Sequence, residues 1–194
     1  MFDRLKARLS EEVQLTDEDW SLLVKNIQYK ELLKNEILLR STEVATWSLF
    51  LIEGILRVYN HHDGREYTRN IFTSGDFFTE SGSFFSGKSF GFQIDALENS
   101  KIFLLPKEAM AELESKSDVL RIFFRKQMEK ALIFFTKRTL ETQLSGLERY
   151  NELRRTRPGL VGKVPQYILA SYLNLTPEAY SRIQRMAGEL TIDQ

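Results

Sequence analysis

The sequence predicts an α+β fold: an N-terminal β-roll of the jelly-roll or double-stranded β-helix type with flanking helices, one long helix, and a small helical module at the end. Three observations carry this. Between Asn35 and Pro106, short apolar or alternating runs ("EILLR", "SLFLIEG", "ILRVYN", "YTRNIF", "FQIDAL", "KIFLLP") are separated by turn residues, the pattern of short strands in a barrel or roll. From about Asp118 to Leu144, apolar residues recur at helical spacing. After Val164, a small residue, an Asn and a Thr-Pro pair fall at the spacing of two short helices joined by a tight turn. The expected division is therefore 1–117, 118–144 and 145–194.

Composition narrows the function classes. The 194 residues hold 27 Lys plus Arg against 27 Asp plus Glu, so bulk charge favours neither a nucleic-acid coat nor a membrane-surface protein, and any charge signal must be local. There is no cysteine, which excludes disulfides, thiolate clusters and a Cys nucleophile and fits a cytoplasmic location. The start, "MFDRLKARLSEE", carries charges throughout, so neither a signal peptide nor a membrane span is expected there.

Each element has its own warrant. Up to about Tyr29 the pattern is helical, with Thr16 as N-cap and Asp19 three residues on, ahead of Trp20, Leu22, Leu23 and Ile27; this predicts one or two leading helices. Within the strand block, "HHDGRE" places Asp63-Gly64 between two runs, where both residues tolerate the positive φ of a hairpin turn. In the long helix, Leu120, Phe124, Met128, Ala131 and Phe135 step by 4, 4, 3 and 4 along one face. Val119, Ile122, Phe123, Leu132, Ile133 and Phe134 cover much of the remaining circumference, so the helix needs a second apolar partner beyond the roll. A symmetry-related copy is the economical partner, which makes those five residues the expected homodimer interface; the alternative is a helix crossing a monomeric core.

The sharpest motif is "VPQYILASYLNLTPEAYSRIQRM", which has helix-turn-helix spacing. Ala170 is small where the helices cross, and Asn174 sits at the turn, where a left-handed backbone is needed. Thr176 caps the second helix and Pro177 fills its first turn, where a missing N–H costs nothing. Leu169, Leu173, Leu175, Tyr180 and Ile183 form the apolar seam. On the other face stand Glu178, Ser181, Arg182 and Arg185, residue types that reach base edges and phosphates. Charge agrees locally: between Arg149 and Met186 there are seven Lys or Arg against Glu152 and Glu178.

This order of parts resembles the Crp/Fnr superfamily of bacterial transcription regulators. The most specific stretches are "FLIEGILRVYNHHDGREYTRNIFTSGDFF" and "ERYNELRRTRPGLVGKVPQYILASYLNLTPEAYSRI", the latter similar to the short branch common in Bacteroidetes. The resemblance implies a cyclic-nucleotide-binding-like sensor, a homodimer, and an approximate inverted repeat in double-stranded DNA contacted through Lys163, Gln166, Thr176, Pro177, Glu178, Ser181, Arg182 and Arg185. Departures are visible. No wing pattern follows the second helix before Gln194, and Pro177 stands where the catabolite-activator type has a base-contacting Arg, although Glu178 and Arg182 match its other two principal positions.

In relatives that bind cyclic AMP, the loop after "GDF" supplies a Gly-Glu pair whose Glu accepts the ribose hydroxyl, then an Arg followed by Ser or Thr for the phosphate. In "TESGSFFSGKSFGF" Glu80 keeps the ribose position, Gly82 keeps a bend, and Ser81 lies between them. Thr79 replaces the Gly, Phe90 the Arg and Gly91 the hydroxyl residue. A phosphodiester facing a phenyl ring loses its countercharge, so cyclic nucleotide is not the expected cofactor. The loop's phenylalanines, Phe77, Phe78, Phe84, Phe85, Phe90 and Phe92, imply either another, apolar effector with Glu80 as polar contact, or a pocket filled by its own side chains. In either case Glu80 needs a partner.

Enzymatic readings are poorly supplied. His61 and His62 are adjacent with no third His and no Cys, which leaves no metal set and suits a hairpin tip, and Ser81, Ser83 and Ser86 have no His nearby in sequence. The expected function is a DNA-binding regulator; the alternative is an effector-free protein-interaction module with a vestigial reading helix.

Overall fold

The computed structural model describes the backbone of residues 1–192 and the side chains of residues 1–187. Two helices lead, α1 (Phe2–Ser10) and α2 (Asp17–Asn26). Thr16 and Asp19 form a reciprocal capping box at the start of α2, each backbone N–H donating to the other's side chain at 3.1 Å, as the sequence predicts. Strands β1 (Gln28–Leu32), β2 (Ile37–Leu39), β3 (Trp47–Glu53), β4 (Ile55–His62), β5 (Arg65–Thr73) and β6 (Phe77–Phe78) precede the short helix α3 (Ser81–Ser86). Strands β7 (Phe92–Ala96) and β8 (Ser100–Pro106) complete the roll. Helices α4 (Lys107–Lys116), α5 (Asp118–Glu141), α6 (Gly146–Thr156), α7 (Gln166–Tyr172) and α8 (Pro177–Ile192) follow, with a 3₁₀ turn at Pro158–Leu160.

The described chain forms two compact units: Met1–Val58 with Ile71–Ile133, and Tyr59–Asn70 with Phe134–Gln194. This partition differs from the sequence-based one in two places. The tip of the β4–β5 hairpin belongs with the C-terminal helices, and the boundary falls inside α5.

In the first unit the strands build two four-stranded sheets, ordered β1-β8-β3-β6 and β2-β7-β4-β5, with antiparallel pairing of β8 to both β1 and β3. This is a jelly-roll arrangement of mixed helices and antiparallel sheets. Period-two alternation sorts the side chains. Leu49 and Leu51 of β3, Leu56 and Val58 of β4, Ile94 and Ala96 of β7, and Ile102 of β8 fill the interior between the sheets. Phe50 and Ile52 of β3, and Phe103 and Leu105 of β8, face the other way. They lie under Leu5 and Leu9 of α1, Leu23 of α2, Leu113 of α4, and Leu120, Phe123 and Phe124 of α5. The run "SLFLIE" reads as continuously apolar because β3 is buried on both faces.

The sequence's six strands are present. The missed pair, β1 and β6, comprises a largely polar strand with one buried residue and a two-residue strand. Asp63 and Gly64 have φ of 49° and 72°, the two positive values of a type I′ hairpin. A feature outside the sequence reading is the buried ion pair between Arg57 on β4 and Asp95 on β7. Nε and Nη2 of Arg57 donate to the two carboxylate oxygens at 3.0 and 2.7 Å. Bidentate geometry satisfies both oxygens, which a buried charge pair requires.

The start of α5 is held by the core just described and its middle by Glu12, two residues past the end of α1. Gln127 and Lys130 donate to the Glu12 carboxylate, Lys126 to the Glu12 carbonyl, and Arg8 to the carboxylate from within α1. Partial burial pushes the Glu12 carboxyl up, but the hydrogen bonds and charges of Lys130 and Arg8 outweigh it and hold the group below its ordinary range.

In the second unit α6 starts on a Ser145–Glu148 capping box. Tyr150 meets Tyr180 of α8 edge to face, with centroids 5.6 Å apart. Ala170 is fully buried where α7 packs on α8, Asn174 adopts φ 53° at the turn, and Thr176 accepts from the Ala179 N–H at 3.2 Å. Helix α8 runs on to Ile192, and Asp193 and Gln194 lie outside the described residues.

Gly54 is where the chain leaves β3 for β4 in the other sheet. Its φ is 114°, and a Cβ there would lie 2.1 Å from Ser100 Oγ and 2.7 Å from Ser100 Cα. Both the backbone conformation and the space exclude a side chain. Gly54→Ala is expected to destabilise the roll by about 2 to 4 kcal/mol, read as a lower urea midpoint for the chain's far-UV transition. An unchanged midpoint would remove this account of the crossover.

Candidate functional site

The loop following β6 lies between the roll interior and α4. Thr79 donates its hydroxyl to the Trp47 carbonyl at 2.8 Å, fixing the entry to α3 on β3. Glu80 is the N-cap of α3 and is 7% exposed; Oε1 accepts from the Gly82 N–H at 3.1 Å and Oε2 from the Ser83 N–H at 2.8 Å. This is the partner that the buried carboxylate requires, and it is backbone. Ser81 opens the helix, and Ser83 accepts from the Ala45 N–H at 3.0 Å. Gly87, with φ 69°, ends it. Lys107, at the start of α4, donates its ammonium to the Phe84 carbonyl and sits 4.9 Å from the Phe84 ring centroid.

Phe90 lies over Gly82: a Cβ on Gly82 would be 3.1 Å from two carbons of the Phe90 ring and 3.1 Å from Glu80 Oε1. Gly91, at φ 76°, turns the chain after it, its N–H donating to Ser89 Oγ at 3.1 Å. The structure thus brings Glu80, Gly82 and Phe90 together at the first turn of α3.

The six loop phenylalanines are divided. Phe78 and Phe84 lie in the roll interior with Phe92 packed against it, and Phe77 contacts the rings of Phe123 and Phe124 at 5.5 and 6.2 Å. Only Phe85 and Phe90 of the six are substantially exposed, at 52% and 57%. Lys88 is exposed.

Residues 29–117 match the model of the cyclic nucleotide-binding domain. The roll with its α3 loop has that domain's fold. No curated protein matches the chain by sequence. Among solved structures, FixK2 from Bradyrhizobium japonicum is similar at 20% identity over 86% of each chain, with a TM-score of 0.69. A protein from Eubacterium rectale placed in the Crp/Fnr family of transcriptional regulators is similar at 19% identity, over 89% of this chain and 83% of that one, with a TM-score of 0.66. The catabolite activator protein of Thermus thermophilus is similar at 16% identity, over 95% and 88%, with a TM-score of 0.58. At these identities the likeness is one of fold.

In the C-terminal unit, Lys163, Gln166, Thr176, Pro177, Glu178, Ser181, Arg182 and Arg185 are all exposed. Hydrogen bonds from its own backbone N–H and from the Thr176 hydroxyl hold the Glu178 carboxyl below its ordinary range, so it is an acceptor at the start of α8. His61 and His62 lie at the hairpin tip, near Glu66 and Asp63. Among the described residues no group of three or more His, Cys, Asp or Glu could hold a metal, and no helix is long and apolar enough to cross a membrane.

The expected dimer seam needs revision. Leu120 and Phe124 are 0% and 1% exposed and belong to the core of their own chain beneath α1 and α2, so they are not available to a partner. Ala131 is half-buried. Met128 and Phe135 are exposed, and with them Leu132 and Ile133. Sequence spacing alone treated the stripe as one surface, whereas the roll and leading helices consume its first turns. Residues the sequence reading missed are Lys107, which bears on the pocket loop, and Ser171, described below; a Lys after a Pro and a Ser within a helix carry no distinguishing local pattern.

With Glu80 acting as a helix cap, Glu80→Ala is expected to cost about 1 to 2 kcal/mol in the absence of any ligand, measured by urea unfolding. Titration with cyclic AMP or cyclic GMP is expected to give no saturable heat at millimolar ligand. A micromolar dissociation constant, about 8 kcal/mol of binding, would overturn the assignment, because that much is not assembled with the phosphate unpaired.

Proposed function

We propose that the chain is a Crp/Fnr-type transcription regulator of the short branch, not an enzyme, acting in the cytoplasm as a homodimer on double-stranded DNA. On this reading its cyclic-nucleotide pocket is degenerate and closed by its own side chains. The observation that carries the reading is the α7–turn–α8 pair following a cyclic nucleotide-binding roll. Asn174 is in the left-handed conformation, Thr176 caps α8, and eight polar or turn residues are exposed along the entry to α7 and the outer face of α8. The pair acts as a helix-turn-helix, with α8 the recognition helix. The Phe90 ring over Gly82 and the carboxylate of Glu80 on the α3 amides support a self-filled pocket over one awaiting a nucleotide.

Dimerisation uses the later turns of α5. Met128, Leu132 and Phe135, spaced by four and three, are exposed at 48%, 69% and 54% and form a continuous apolar stripe. Light scattering is expected to give twice the 22.7 kDa chain mass, and Leu132→Glu to return the chain to the monomer, because a charge in the middle of the exposed stripe opposes its burial against a second copy. A monomeric wild type at tens of micromolar would eliminate the stripe as an interface.

A two-fold dimer presents two copies of α8, so the preferred duplex is an approximate inverted repeat with half-site centres roughly 34 Å apart. Arg182, near the middle of the exposed face, pairs with a guanine edge, and Glu178, one turn earlier, accepts from a cytosine amino group. Lys163 and Arg185 meet phosphates. Arg182→Ala is expected to cost about 1 to 3 kcal/mol on a duplex selected from random sequence and little on unselected DNA, while Lys163→Ala weakens both alike and flattens the salt dependence. If selection enriches no inverted repeat and Arg182→Ala changes nothing, α8 does not read DNA and the chain is an interaction module.

A further inference from the structure

Among the described residues, strand β5 is the last strand of its sheet, with β4 on its inner side. In the C-terminal unit its other side is taken by helices. Ser171, in the last turn of α7, accepts from the Thr68 N–H at 2.8 Å and donates to the Glu66 carbonyl at 3.0 Å. One hydroxyl thus does for the strand edge what a neighbouring strand would do, binding an N–H and a C=O two residues apart. Thr68 is 2% exposed at the contact. Two residues further along the same edge, Arg157 donates to the Asn70 side chain at 3.4 Å. Residues 66, 68 and 70 share this edge because strand periodicity is two.

The residue after Ser171 receives a second element. Arg138, in the last turn of α5, donates to the Tyr172 carbonyl at 2.6 Å, lies 4.3 Å from the Tyr172 ring centroid, and is held by Glu141 at 2.7 Å. The chain passes between the two compact units at 58–59, 70–71 and 133–134, that is, through β4, β5 and α5. Two of these connections, β5 and α5, therefore carry bonds to adjacent residues, Ser171 and Tyr172, at the end of α7.

We propose that Ser171 is a coupling residue that clamps the β4–β5 hairpin to the first helix of the DNA-reading pair, so that hairpin and reader respond as one body when DNA is bound. This rests on the DNA-reading function proposed above. Ser171 is not among the exposed residues expected to touch DNA, so the clamp and the reading surface are separable by mutation.

The test is hydrogen exchange on the full chain, with and without a duplex carrying the selected inverted repeat, for wild type, Ser171→Ala and Ser171→Thr. In the wild type, duplex binding slows exchange in residues 59–70 as well as in α7 and α8. In Ser171→Ala the Thr68 amide exchanges at least about tenfold faster without DNA, the amides of β3 and β8 are unchanged, and duplex binding no longer slows the hairpin. Ser171→Thr, which keeps the hydroxyl, restores slow exchange. The clamp is overturned if Ser171→Ala leaves the Thr68 amide unchanged, or if duplex protects α7 and α8 in the wild type while the hairpin is unaffected. If no duplex is bound at all, the DNA reading itself fails and the coupling role falls with it, a result distinguishable from the other two because α7 and α8 then show no protection either.

Discussion

Burial of β3 on both faces is the constraint on which the first unit depends. Leu49 and Leu51 complete the space between the sheets, while Phe50 and Ile52 are the floor on which α1, α2 and α5 rest. A slip of one residue would exchange these sets, putting two aliphatic side chains where rings and β-branched groups are packed, so the register of β3 against β8 is strongly specified. Gly54 follows from the same constraint. A strand closed in on both sides must leave its sheet abruptly to reach the other one, and the path runs so near Ser100 that only a residue without a side chain fits.

On the proposed reading, the pocket loop keeps a ligand-binding scaffold while its ligand chemistry is replaced. The first-turn amides of α3 are donors that need acceptors, and here Glu80 from the same chain supplies both. A bound anion would have to displace that carboxylate or share the amides with it, and like charges this close disfavour sharing. Phe90 adds an apolar cover at Gly82, and Lys107 fixes the far end of the helix by its Phe84 carbonyl. The hydrogen bonds of Thr79, Glu80, Ser83 and Phe84 described here all run to protein groups.

Much of this was legible in sequence where a local rule decides. The Thr16 cap, the Asp63-Gly64 hairpin and the Asn174 turn each depend on the conformational preference of one or two residues, and each is where the sequence predicts it. Strand β1 escaped because its alternation is mostly polar, and β6 because two residues carry no period. The partner of a buried side chain is a different kind of fact. Leu120 and Phe124 read as part of a long apolar stripe, and nothing in their spacing says whether the chain's own helices or a second copy will cover them. The six loop phenylalanines likewise read as one aromatic cluster, although three distinct environments receive them. Ser171 was illegible for the same reason: its partners lie more than one hundred residues away, and a hydroxyl at a helix end has no sequence signature for a strand edge.

On the proposed reading, the absence of an effector's countercharge does not leave the reader without an input. The exposed stripe on α5 ends at Phe135, three residues before Arg138, whose guanidinium is bonded to the Tyr172 carbonyl. Positions three apart on a helix share a face, so association along the stripe bears directly on the turn that holds α7. The hairpin reaches the same place through Ser171. An equilibrium can be shifted only by something with differential affinity for its states, and a second copy of the chain meets that condition where a phosphate does not. On the same reading, subunit association along the last turns of α5 is the event that bears most directly on the Arg138 contact with α7.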